Sequence, residues 1–223
     1  IDINGAINAS GEIIAASLDI SGDIDVDGTT NLDAVDIDVS LTVDGTIKLN
    51  GNYPTGTDNI ALGNAALSSG SLSGAGNIAI GDSVLQNMTS GSNAVAIGRD
   101  AMNTGIYTGG DAVAIGRAAL QNLTTGSDNI AIGGLALDAN TTGASNVALG
   151  KEALTTNTTA SNNTAVGASA LRLNTTGTLN TAVGTGSLAA NTTANYNTAV
   201  GNNALTANTT GASNVALGAN ALD

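Results

Sequence analysis

The most constraining feature of this 223-residue chain is a short motif that recurs at an almost constant interval. From residue 59 onward the pattern Asn-x-Ala-aliphatic-Gly occurs ten times, and successive copies are 17 residues apart except at two intervals of 18. The motif glycines are Gly63, Gly81, Gly98, Gly116, Gly133, Gly150, Gly167, Gly184, Gly201 and Gly218. Helix-turn-helix repeats need more than about thirty residues, whereas a shorter period suits one coil of a β-solenoid made of short strands and tight turns.

Two other short sequence elements recur at a fixed distance from the motif. A pair such as Ala136-Leu137 follows each glycine by three and four residues, and the later copies continue into a polar turn, for example at residues 140–143 (Asn-Thr-Thr-Gly). Stacked coils of this kind hydrogen-bond to one another at a spacing of about 4.8 Å. We therefore predict an all-β chain that forms a repetitive β-solenoid with 17-residue coils.

The first 51 residues carry the same period with a different composition. Acidic and aliphatic residues alternate, as at 23–27 (Asp-Ile-Asp-Val-Asp), which is the pattern of a strand with one charged face. Residues 1–51 hold ten acids and one base, a net charge of −9 out of a total of −13. We predict three domains: an acidic β-repeat shaft of three repeats at 1–51, a junction around the single proline at 52–58, and a β-roll at 59–223 whose last repeat is truncated.

The composition excludes several chemistries. The chain has no Cys and no His, which removes disulfides, thiol nucleophiles, imidazole bases and ordinary zinc sites. Only five Lys and Arg stand against 18 acids, which argues against binding nucleic acid, and no apolar run is long enough for membrane insertion. No insertion interrupts the period to build a cleft, so we predict no enzyme and no catalytic, cofactor-binding or metal-binding residue. Because the chain begins at Ile1 and stops within a repeat, we interpret it as a segment of a longer or processed polypeptide.

The strand motif is apolar on both faces. The Ala of each copy lies on one face, and the residues before and after it lie on the other. A half-exposed strand would carry polar residues on its second face. We therefore expect both faces to be covered, one by the inside of the coil and the other by a neighbouring chain. The residues expected to permit close approach are Ala79, Ala114, Ala131, Ala165 and Ala199, and those expected to fill a core are Ile80, Ile115, Ile132, Val166 and Leu217. A single-chain solenoid with an exposed Ala face is the alternative.

Several copies resemble a known family. Residues 93–98 (Asn-Ala-Val-Ala-Ile-Gly) and 112–116 resemble the head repeat of YadA-like trimeric autotransporter adhesins, although that repeat is shorter than the one in this chain. The unit at 180–193 is similar to a variant found in phage tail-fibre proteins, and residues 16–28 resemble shaft segments of marine phage tail fibres. The resemblance implies a left-handed parallel β-roll in which three chains pack around one axis.

One group of acids has the beginning of a calcium-binding pattern. Asp23, Asp25 and Asp27, followed by Gly28, fit the first half of a calcium loop, but Ala34 stands where the bidentate acid is required. We therefore interpret these acids as the charged face of a strand. Acids repeated at the coil period would repel one another when stacked, so loose binding of divalent cations stays open.

Asn-x-Thr triplets recur in the turns and match glycosylation acceptors. They begin at Asn87, Asn122, Asn140, Asn157, Asn174, Asn191 and Asn208. Because the triplets follow the structural period, we interpret them as turn residues whose side chains bond the backbone and stack as ladders. Adjacent threonines such as Thr141-Thr142 raise an ice-binding alternative, but neighbouring side chains in an extended segment point opposite ways, which argues against a flat array.

The repeat, the excluded chemistry and the resemblance together predict a structural protein. We expect a segment of a viral (phage) tail fibre, a homotrimeric rod that spaces or presents a host-receptor-binding tip on the virion or on an extracellular surface. The expected partners are further copies of the chain, other fibre proteins at its two ends and a host cell-surface receptor. Two alternatives stay open: the head segment of a bacterial trimeric surface adhesin and, more remotely, an ice-binding β-solenoid.

Overall fold

The computed structural model describes residues 58–69 and 72–223. Within these residues every regular element is a β-strand of three residues, and there is no helix, hence none that could cross a membrane. The strands are β1 (Ile60–Leu62), β2 (Ile78–Ile80), β3 (Val95–Ile97), β4 (Val113–Ile115), β5 (Ile130–Ile132), β6 (Val147–Leu149), β7 (Thr164–Val166), β8 (Thr181–Val183), β9 (Thr198–Val200) and β10 (Val215–Leu217). They form one parallel sheet in sequence order. The predicted all-β solenoid is confirmed: it has about nine turns with coils of about 17 residues.

The coils stack in strict register. The central alanines of neighbouring strands pair directly. The pairing is the same across the two 18-residue intervals, where Ala61 pairs with Ala79 and Ala96 pairs with Ala114. The additional residue of these coils is therefore accommodated between the strands, where a turn can absorb it without moving a side chain to the other face of the sheet.

A glycine ends each strand because the backbone adopts a positive φ there and passes close to the next coil. Gly167 has φ +133°, and a Cβ at this position would lie 2.6 Å from the carbonyl carbon and oxygen of Gly184. Only a residue without a side chain fits this approach without moving the neighbouring backbone. The motif glycine therefore recurs because the backbones of neighbouring coils come into close contact at this point of the repeat.

The turn after each glycine contains left-handed backbone conformations. In the coil that follows Gly150, Glu152 has φ 59° and Leu154 has φ 52°. The N–H of Ala153 donates to the carbonyl of Gly150 at 3.3 Å, and the N–H of Asn157 donates to the carbonyl of Leu154 at 3.1 Å. A left-handed conformation costs a leucine about 1–2 kcal/mol, so the stacked turns impose it against local preference.

The inside of the solenoid is filled by side chains from the turns together with the strand alanines. Both Ala131 and Leu137 of one coil are fully buried. The equivalent large side chains form one column along the interior: Leu67, Leu85, Met102, Leu120, Leu137, Leu154, Leu171, Leu188 and Leu205. The core is therefore thin and aliphatic, as a chain almost without aromatic residues requires.

The expected roles of the two strand faces are wrong in one respect. Ile80, Ile115, Ile132, Val166 and Leu217 do not fill the core of the chain but lie on the outer face of the sheet. The alanines expected to permit close approach do so inside the coil, where all five are fully buried: Ala79, Ala114, Ala131, Ala165 and Ala199. The reason is volume, because the turn leucine already occupies the narrow interior and leaves room only for methyl groups.

Several predictions concern residues outside the described ranges. The acidic shaft at 1–51 and the first calcium-loop residues at 23–28 are among them, as is the junction at 52–58 except for its last residue. These predictions stay open.

Candidate assembly interface

The outer face of the sheet is a continuous apolar surface, which we call the outer strand face. It consists of the residues before and after the central alanine of every strand, in two columns of ten. Of these twenty side chains, seventeen are Ile, Val or Leu, the other three are Thr164, Thr181 and Thr198, and none is charged. Ten strands spaced by about 4.8 Å give the face a length of about 43 Å.

No other described segment of the chain covers this face. Ile130 and Ile132 in the middle of the sheet are 38% and 40% exposed, and Val215 and Leu217 in the last strand are 73% and 79% exposed. Most of the other members are half-buried. A strand face that meets water is normally polar, and a contiguous apolar surface is typical of contact with another molecule.

Charged side chains border the outer strand face along one edge. Arg99, Arg117 and Lys151 each directly follow a motif glycine, and therefore a strand. Arg99 lies 3.6 Å from Asp100, and Lys151 lies 3.3 Å from Glu152. Exposed pairs of this kind contribute little to stability. An apolar centre with a polar edge is, however, the usual anatomy of a protein–protein contact.

A first ladder of asparagine side chains runs along the inside of the solenoid. Oδ1 of Asn146 accepts a hydrogen bond from the N–H of Asn163 at 3.0 Å, and Nδ2 of Asn146 donates to the carbonyl of Ala160 at 2.8 Å. The ladder is formed by the asparagine that opens the strand motif. It is interrupted at Ala94 and Ala112, so two of the ten motif copies lack the asparagine that the pattern assigned to all of them.

A second ladder runs through the polar turns. Nδ2 of Asn174 donates to Oδ1 of Asn157 at 3.0 Å and to the carbonyl of Gly177 at 2.9 Å. Its members are Asn140, Asn157, Asn174, Asn191 and Asn208, of which the first four are fully buried. The ladder interpretation is confirmed for these five triplets, since the amide nitrogen that glycosylation would need is already hydrogen-bonded.

The two remaining triplets do not belong to this ladder. Asn87 is exposed and Asn122 is half-buried, and the side chain of each donates to a backbone carbonyl of the next coil at 2.7 Å. In their coils the ladder position is occupied by Met88 and Leu123, which are buried. The grouping of all seven triplets was therefore wrong, because Asn87 and Asn122 lie one residue closer to their motif glycine than the ladder residues do.

The threonine pairs of the turns separate into an inner and an outer column. Oγ1 of Thr141 donates to the carbonyl of Thr158 at 3.1 Å, whereas Thr142 is exposed. In this pair only the second threonine is exposed. This agrees with the expectation that the side chains of neighbouring residues point in opposite directions.

A single aromatic side chain is buried among the described residues. Tyr107 is fully buried, and a Cβ added to Gly91 or Gly109 would meet its ring at 2.5 Å and 2.8 Å. Its hydroxyl has no hydrogen-bond partner in the described part of the chain. Burial raises the pKa of Tyr107 above its ordinary value of 10.0, and the negative charges of Asp111 and Asp128 raise it further.

Neither a metal centre nor a known relative indicates a function. Within 58–69 and 72–223, no group of three or more His, Cys, Asp or Glu could hold a metal ion. No family model, curated protein or solved structure matches this chain. The outer strand face is therefore the surface from which a function is inferred.

The first asparagine ladder was not predicted, although the sequence carries a signal for it. The motif asparagine lies two residues before the central alanine in eight copies, as Asn146 does before Ala148. Residues two apart in a strand share a face. The motif asparagines therefore share the face of the alanines, which lies inside the coil in this structure.

Proposed function

We propose that this chain is a structural segment of a homotrimeric fibre, the rod of a phage tail fibre that spaces or presents a host-receptor-binding tip. The observation that supports this proposal is the outer strand face, which is uncharged, mainly aliphatic, ten strands long and not covered by any segment within residues 58–69 and 72–223. Further fibre proteins at the two ends and a host receptor complete the proposed set of partners, on a virion or another extracellular surface.

Copies of the same chain are the partners that fit this face best. Its side chains recur every 4.8 Å or so, and another solenoid of the same kind presents its own columns with the same spacing. Three parallel chains that each turn this face towards a common axis would bury it along its full length. The left-handed roll implied by the resemblance to YadA-like heads is part of this proposal.

Sedimentation analysis of the full chain tests the assembly. We expect a species near three times the chain mass of 21.5 kDa with a high frictional ratio. Ile132→Asp places a charge in the middle of the outer strand face and should give monomers, whereas Thr142→Asp on another exposed surface should leave the trimer intact. A monomeric natural chain, or a trimer unaffected by Ile132→Asp, would contradict the proposal.

A bacterial trimeric adhesin head would use the same face, so assembly does not distinguish it from a phage fibre. Antibodies raised against the chain would make the distinction by immunogold electron microscopy of the source culture. Labelled tail fibres on virions are expected, and labelling confined to bacterial surfaces would favour the adhesin.

A further inference from the structure

We propose that Thr164, Thr181 and Thr198 form a polar block in the outer strand face that sets the axial register of the assembled chains. This inference rests on the proposed trimer, because it assigns a role to residues of the same face. The three threonines occupy the first position of the consecutive strands β7, β8 and β9. All the other positions of the face are aliphatic.

The hydroxyl groups of this block have no partner within the described residues of their own chain. The threonines of the turns behave differently: Oγ1 of Thr141 and Oγ1 of Thr175 each donate to a carbonyl of the next coil, at 3.1 and 3.0 Å. A hydroxyl that is enclosed by an apolar contact and left unpaired is unfavourable. If the chains pack in register, the same hydroxyl of each neighbouring chain lies at the same height and can pair with it.

The axial register of the three chains is not fixed by the repeats themselves, because the repeats are nearly equivalent. A trimer whose chains were shifted by one coil would still pack aliphatic residues together over most of its length, so the apolar columns alone specify register weakly. The block removes this equivalence. A shift of one coil sets Thr164 against Val147 and Thr198 against Val215, which buries hydroxyls against methyl groups.

A larger shift is penalised more, because a shift of three coils leaves no threonine opposite another. The energetic principle is the one by which a single polar layer fixes the register of a coiled coil at some cost in stability. The block should therefore lower the stability of the trimer while it selects the arrangement in which all three chains are level.

Disulfide trapping can measure register because the natural chain has no cysteine. Single-cysteine chains Ile130→Cys and Val147→Cys, in the same column of the face as the threonine block, are first tested alone for disulfides between identical positions. Differently tagged Ile130→Cys and Val147→Cys chains are then unfolded together, refolded and oxidised. Where identical positions lie about 6 Å apart between Cα atoms, residues one coil apart lie at about 7.7 Å, outside disulfide range, so a mixed disulfide reports a shifted trimer.

The same measurement is made after the triple substitution Thr164→Val, Thr181→Val and Thr198→Val. We expect the share of mixed disulfides to rise by about fivefold or more, and the melting temperature of the trimer to rise as well. The matched control replaces Thr142, Thr159 and Thr176 by Val; these residues lie in the exposed turn column and should change neither quantity.

The outcomes separate the two proposals. If sedimentation gives a trimer but the triple variant keeps the natural share of mixed disulfides, the register proposal is overturned and the trimer stands. If no identical-position disulfide forms at either site in a trimer, parallel in-register packing through this face is overturned. A chain that sediments as a monomer overturns both the trimer and the register proposal.

Discussion

The side-chain amide of Asn157 donates a hydrogen bond of 3.1 Å to Oδ1 of Asn140, the equivalent residue one coil earlier. Asn157 in turn accepts from Asn174 at 3.0 Å, so each ladder residue is both a donor and an acceptor. All three side chains are fully buried. In a core with Tyr107 as the one buried aromatic side chain among the described residues, such polar columns align the coils. Removing one member leaves a buried side-chain oxygen without its donor and a buried amide with one acceptor fewer.

Replacing one member of the ladder should therefore be costly. We expect Asn157→Ala to lower the free energy of unfolding by about 2–4 kcal/mol, because the amide of Asn174 and Oδ1 of Asn140 lose a buried partner. Urea denaturation followed by circular dichroism would measure the change. The control is Asn87→Ala, an exposed asparagine outside the ladder, which should cost less than about 1 kcal/mol. Equal losses in the two variants would contradict the role of the ladder.

Adjacent residues of one strand should differ in how well they tolerate a leucine. Ala131 is fully buried, so Ala131→Leu should overpack the coil and lower stability by about 1–3 kcal/mol, with damage to the fold itself and not only to assembly. Ile132→Leu changes a residue that is 40% exposed on the other face and should cost less than about 1.5 kcal/mol. Thermal denaturation of both variants compares the two faces. A well-folded Ala131→Leu protein with natural stability would show that the interior is not tightly packed.

Two glycines should differ in their tolerance of a methyl group. Gly167 has φ +133°, and its added Cβ would lie 2.6 Å from the backbone of Gly184, so Gly167→Ala should reduce stability by at least about 2 kcal/mol. Gly134 has no positive φ, and the nearest atom its Cβ would meet is 4.0 Å away, so Gly134→Ala should be neutral or slightly stabilising. Chemical denaturation distinguishes them, and a harmless Gly167→Ala would mean that the coils can separate locally.

The buried tyrosine predicts a dependence of stability on alkaline pH. Burial holds the pKa of Tyr107 above the value of 10.0 that it has when unfolded. Above that pH the unfolded chain loses the proton while the folded chain keeps it, so stability falls. The fall attributable to Tyr107 should be no more than about 1.4 kcal/mol per pH unit and should disappear in Tyr107→Phe.

Denaturation of the natural chain and of Tyr107→Phe at pH 8 and pH 11 would measure this effect. At pH 8 the variant should already be more stable by about 1 kcal/mol, since it removes a buried hydroxyl without a partner among the described residues. Tyr196→Phe is the control for loss of the hydroxyl, because Tyr196 is 61% exposed and its replacement should not raise stability at pH 8. An unchanged difference between the natural chain and Tyr107→Phe at the two pH values would contradict the assignment.

The sequence by itself determined the repeat, the strand position and the stacking of like residues. A period of 17 residues can keep Ala131, Ala148 and their successors in one column only if each period is one coil, and the motif glycine ends the strand wherever it occurs. The turn ladder was also predictable, because Asn140 and its equivalents recur at that period beside residues that favour turns.

Tertiary structure alone decided which apolar face is inside. Alanine and isoleucine are both compatible with burial, so hydropathy could not distinguish Ala131 from Ile132; the space left by Leu137 did. The left-handed conformation of Leu154 is likewise contrary to its intrinsic preference, and stacked turns above and below impose it. Local sequence therefore set the period of this solenoid, whereas the limited volume inside each coil set which of its residues are free to meet a partner.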